Sequence, residues 1–137
     1  MEEKPNTKDW YRFATMYARA AAFLIEREPP LYGPVSYMAY LSSECAMKGF
    51  LFERNPGLPL PETHNLKELC QACAWFEDGF AKELEHCESL GKFATPSGLP
   101  ALVESSWEDT LLALETSRVI NALSRSQAQT QSPIMTM

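Results

Sequence analysis

The sequence predicts an all-α protein, an up-and-down bundle of four to five helices. Apolar side chains recur at steps of three and four residues, and no segment shows the strict alternation that a half-buried strand requires. Asn, Ser, Pro and Gly fall between the periodic segments, where helices start and stop.

Asn6-Thr7-Lys8-Asp9 offers a first N-cap, after which Trp10, Phe13, Tyr17, Ala20, Ala21 and Leu24 form one apolar stripe. Arg12, Arg19 and Glu26, spaced by seven, mark the polar side, and Pro29-Pro30 stops the helix, so it covers about residues 7–27. Gly33-Pro34 opens the second helix, because proline is tolerated in a first turn whose N–H groups lack intrahelical partners. Asn55-Pro56-Gly57 ends it. Val35, Met38, Ala39, Ser42, Cys45, Ala46, Gly49 and Phe50 give it a broad face of small and apolar residues that suits close helix approach. Glu44 and Lys48 stand four apart in the favourable order.

Thr63 is the expected cap of a third helical stretch over residues 64–90, carried by Leu66, Leu69, Cys70, Cys73, Phe76, Phe80, Leu84, Cys87 and Leu90. Asp78-Gly79 either divides that stretch into two helices or is tolerated within it. Residues 91–105, with Pro96, Gly98 and Pro100, form the longest irregular stretch, and Ser105-Ser106-Trp107-Glu108 reads as the capping box of the last helix. Leu111, Leu112, Leu114, Val119, Ile120 and Leu123 do not collect on one narrow face of it. More than one side is therefore expected to meet protein, and Leu112 and Ile120 are the candidate contacts of a homodimer. Residues 1–125 thus form one bundle, and the polar run from Ser126 onward is expected to be a disordered tail, 126–137.

The chain has 137 residues, 45% of them apolar and 22% charged, enough for one core of its own. A formal net charge of -6 argues against holding polyanions by bulk attraction, so any nucleic-acid contact must be local. The longest run without a charged side chain, Pro29 to Ser43, falls short of the roughly 20 residues that a membrane span needs. The start, Met1-Glu2-Glu3-Lys4-Pro5, has no basic segment followed by an apolar one, so a cytoplasmic location is expected. Cys45, Cys70, Cys73 and Cys87 read as core thiols in a reducing compartment. Cys70, Cys73, His86 and Cys87 could also be read as a zinc set, but they fall inside an apolar helical pattern, so no metal and no other cofactor is expected. Glu77, Asp78, Glu83, Glu85 and Glu88 read as a solvated face.

The run from Tyr37 through Glu44 and Lys48 to Leu51, followed by Thr63-His64-Asn65-Leu66, resembles HEPN domains over about residues 8–124. In that family the second helix commonly carries a Glu followed four residues later by Lys, and a Thr-His-Asp-Leu-like turn opens the third helix. Lys92-Phe93-Ala94-Thr95-Pro96 is similar to the basic-aromatic-proline segment before the family's final helix. The resemblance implies a small helical bundle whose relatives include metal-independent ribonucleases, toxins paired with an antitoxin or nucleotidyltransferase, and non-catalytic binding or dimerisation modules. Nucleolytic members use an Arg followed by His after four to six residues, which supplies a proton carrier and a cation for the scissile phosphate. Here the histidines are His64 and His86, and the nearest preceding Arg, Arg54, is separated from His64 by nine intervening residues. No catalytic residue is therefore assigned. The expected function is a non-catalytic binding or dimerisation module, with an atypical ribonuclease toxin as the alternative.

Positive charge gathers at one place. If the second and third helices pack antiparallel, Lys48 and Arg54 lie beside Thr63, His64, Asn65 and Lys67 at a helix start, whose free N–H groups suit a nucleotide or RNA phosphate. In the plainer reading Lys48 pairs with Glu44, Arg54 is solvated and Thr63 caps the helix.

Overall fold

The computed structural model describes residues 6–55, 57–73 and 80–131, apart from the side chains of residues 7, 80–84 and 127–131. Five helices are present in this part of the chain: α1 (Thr7–Ile25), α2 (Tyr32–Arg54), α3 (Leu66–Cys73), α4 (Phe80–Gly91) and α5 (Trp107–Gln131). A lone bridge between Ala94 and Pro100 is the only strand-like pairing among the described residues. None of the helices is long and apolar enough to cross a membrane.

α2 is the axis of the bundle. It buries residues on every side, from Val35 to Leu51, and packs against each of the other four helices. α1 runs antiparallel to it, since Ser42 donates to the Ala14 carbonyl while Gly49 faces Trp10 and Tyr11. A Cβ at Gly49 would stand 3.0 Å from the Tyr11 ring and 3.1 Å from the Trp10 Cβ, so glycine permits the two helices to approach here. α5 runs in the same sense as α2, because Ser36 meets Ser105 and Thr110 while Ser42 receives a hydrogen bond from Asn121. The core proper joins Tyr40, Met47 and Phe50 of α2 to Leu66 and Leu69 of α3, Leu90 of α4 and Ile120 of α5.

The sequence placed the helix ends within a few residues and missed some details of their chemistry. Asn6 and Asp9 form a reciprocal capping box at α1. The box of α5 is Ser106 with Asp109 rather than a set reaching Glu108: the Asp109 amide donates to Ser106 Oγ, and the Ser106 amide donates to the Asp109 carboxylate. These Ser106 hydrogen bonds hold the Asp109 carboxyl below the usual carboxylate range. At α3 the cap is Asn65, whose side chain accepts from the Glu68 amide, while Thr63 accepts from the Asn65 amide one turn earlier. α5 also continues to Gln131, through the start of the run expected to be a tail. Ser, Gln, Ala and Thr are acceptable helix residues, and adding a residue to an existing helix is far easier than starting one. The Asp78-Gly79 question, Phe76, Glu77 and residues 132–137 lie outside the described residues.

Two expectations are corrected by packing. α3 does not fold back against α2. His64 contacts Tyr40 and Glu44, whereas Cys73 at the far end of α3 meets Met47 and Arg54, so α3 runs in the same sense as α2. Residues 57–65 retrace half of α2 first, held down by Leu60 against the core. Ile120, expected at a dimer contact, is 2% exposed within the core of one chain, while Leu112 is 39% exposed. The four cysteines are buried thiols; burial pushes the Cys45 thiol up to about 12 and raises Cys73 as well.

Because Ile120 fills the monomer core, Ile120→Ala should cost about 2–5 kcal/mol. In urea unfolding that loss should be the same across a hundredfold range of protein concentration. A concentration-dependent loss would return the residue to an interface.

Candidate functional site

The candidate site is built on one face of α2, where Tyr37, Tyr40, Glu44 and Lys48 follow at steps of three and four. Glu44 is 6% exposed, and a carboxylate so buried must find partners. Lys48 Nζ lies 3.1 Å from it and also stands over the Trp10 ring. His64 Nδ1 lies 2.5 Å from the same Oε2; a carboxylate accepts, so the imidazole donates from Nδ1. The Tyr40 hydroxyl donates to the His64 carbonyl, so α2 grips this loop residue at both its backbone and its ring. Burial, and then the charge of Glu44, push the Tyr40 phenol well above its ordinary value and keep its proton available for that bond.

Tyr37 stacks on Tyr40 and donates to the Gly98 carbonyl at 2.6 Å, which draws the loop before α5 over His64. Gly98 has φ of +86°, and a Cβ there would stand 2.8 Å from the His64 ring. Glycine is needed for the backbone turn and for the contact alike.

His64 also forms part of the wall of a cleft of about 460 Å³ between the start of α3, the end of α4 and residues 92–96. Thr63, Asn65, Glu68, Glu88, Lys92 and Thr95 supply its polar lining. The structure thus brings three of the six predicted ligand residues, Thr63, His64 and Asn65, to one concavity. Lys67 lies nearby on α3, tied to Glu88 at 3.1 Å. Lys48 stays on Glu44. Arg54 is at the other end of α3, donating to the Cys73 carbonyl, because α3 runs along α2 rather than back from its end.

His86 is elsewhere, beside Lys92, Asp109 and Leu112 at a small hollow of about 50 Å³. Among the described residues, no group of three or more His, Cys, Asp or Glu side chains is arranged to hold a metal ion. Sequence reasoning named Glu44 and His64 separately but did not pair them, and it missed the roles of Tyr37, Tyr40 and Gly98. The spacing of Tyr37, Tyr40, Glu44 and Lys48 on one helix face was the available signal.

Gly98→Ala should destabilise the fold by about 1–3 kcal/mol and displace the His64 ring. Urea unfolding and the His64 imidazole NMR resonances would measure the two effects; unchanged resonances would mean the loop does not pack on that ring.

Comparison with known proteins agrees with this architecture. The HEPN domain family matches residues 7–127. Among solved structures, an archaeal HEPN homologue superposes with a TM-score of 0.68 at 17% sequence identity, covering 91% of this chain and 99% of its own. No curated protein sequence matches significantly.

Proposed function

The chain belongs to the HEPN domain family, and from that premise we propose that it acts as a non-catalytic binding module that associates with a second copy of itself. HEPN domains commonly dimerise. The observation that carries the reading is the apolar surface at the end of the bundle where α2 and α5 begin. Leu31, Val103, Trp107 and Leu111 are exposed in this part of the chain, Leu102 is fully so, and Leu112 is exposed on the side of α5 that faces His86 and Lys92. Tyr32 against Trp107, and Ser36 with Ser105, hold the two helix starts together, so the patch sits on a firm base. Exposed large apolar side chains near the starts of two packed helices suit an association site. The charged groups of the candidate site favour the same reading, since Lys48 and His64 are engaged by Glu44, Lys67 by Glu88 and Arg54 by a carbonyl.

A protein carrying Leu111→Glu and Leu112→Glu should dissociate at least about tenfold more readily than the unaltered protein, with unchanged helical content. Sedimentation equilibrium over micromolar concentrations would show it. A protein that is monomeric throughout before any substitution would end the proposal.

One observation favours the alternative, an atypical ribonuclease acting in the cleft. A carboxylate that orients an imidazole is an arrangement that proton-transfer catalysis uses, and Lys92 in the same cleft could offset charge on a phosphate. On this reading RNA is cleaved, expression arrests growth unless an antitoxin or nucleotidyltransferase partner is present, and both effects vanish in His64→Ala. Intact RNA after prolonged incubation with the unaltered protein would dismiss it.

A further inference from the structure

A groove of about 400 Å³ runs between α1 and α5 and is distinct from the cleft at His64 and from the apolar end of the bundle. Tyr11 and Arg125 bridge the two helices at one end of the groove, and beyond that bridge Ala39 of α2 and Ala21 of α1 form a floor, with the exposed Ala18 and Ala22 as one wall. Arg19 stands on that wall, and Arg118 and Arg125 stand opposite on α5, seven residues or about 10 Å apart along the axis.

The charge there is one-sided. No carboxylate lines the groove among the described residues, although the whole chain carries a net charge of -6. Arg125 is held in place by bonds from one nitrogen to the Tyr11 carbonyl and to Thr15 Oγ1, with its guanidinium over the Tyr11 ring. Arg118 is paired with Glu115 through Nε and one terminal nitrogen. Arg19 has no hydrogen-bond or ion-pair partner among the described residues. Each guanidinium carries five donors, so all three retain donors to offer.

We propose that this groove docks an acidic amphipathic helix of a partner protein, whose apolar stripe seats on the alanine floor while flanking carboxylates meet Arg19, Arg118 and Arg125. The alanines of the floor and of the α1 wall let a helix backbone come close, and residues spaced by three, four and seven along an incoming helix match a groove lying along two helix axes. Single-stranded RNA fits less well, because its bases call for aromatic platforms and no aromatic side chain lines the groove among the described residues. A bilayer surface is too broad to enter a channel between two helices.

The probe is a display library of helix-forming peptides panned against the whole protein. Selected peptides should carry an apolar stripe flanked by Asp and Glu. They should bind Arg19→Glu/Arg118→Glu at least about tenfold more weakly, with further weakening in salt. Ala22→Trp, which fills the groove at an exposed position and leaves the charges alone, should also weaken them about tenfold or more. Circular dichroism melts would confirm that both variants fold. Selection of non-acidic peptides, or binding indifferent to both variants, would overturn the proposal. So would an RNA oligonucleotide or anionic vesicles displacing the peptides from the groove.

Discussion

The burial of α2 on all sides is the constraint on which the rest of the molecule depends. A helix surrounded by protein cannot leave its polar side chains to water, so each one requires a partner. Ser43 solves this locally by donating to the Ala39 carbonyl. The others reach to different elements: Ser36 to Ser105 and Thr110, Ser42 to Ala14 and Asn121, and Glu44 to His64. The polar residues of α2 therefore specify where its neighbours sit, while the apolar ones supply most of the cohesion. Removing one such partner leaves a buried group unsatisfied, which costs more than the bond itself contributes.

Local chemistry was legible in the sequence and long-range register was not. The ends of α1 and α2 follow from Asn6, from the prolines near residue 30 and from Asn55, because capping and proline geometry act over a few residues. The Glu44–Lys48 pair follows from helix geometry alone. His64 against Glu44 depends on the path of a loop that could equally have turned straight back, and no periodicity encodes that path. Ile120 shows the same limit: an apolar residue on a helix covered from several sides has no signal to say which neighbour covers it. Thr63 and Asn65 are both good caps, and only the geometry of the turn decides that Asn65 accepts from Glu68.

The charges of the chain are sorted rather than spread. Around Glu44 the sign is balanced within a few ångströms, as burial demands, and the ionic groups there hold the loop before α3 in place. Along the groove between α1 and α5, Arg19, Arg118 and Arg125 share a lining with alanines instead, and among the described residues a carboxylate pairs with Arg118 but with neither of the other two. An acidic protein can in this way present a positive surface without altering its net charge.

The path of residues 57–65 has a consequence for how sequence length is written into the fold. From Glu44 to Arg54 the axis of α2 advances about 15 Å, and the chain must travel that distance back before α3 can begin beside Glu44. An extended chain covers about 3.3 Å per residue, so roughly five residues are consumed by the return, and the remainder make the turns at each end, including the one at Gly57 with φ of +88°. The Glu44–His64 contact is thus specified by a count of residues as well as by their identities. Replacements at exposed positions such as Leu58 leave the count intact, whereas a deletion that removes the return would start α3 near Arg54, reverse its direction and leave Glu44 facing a gap in place of an imidazole.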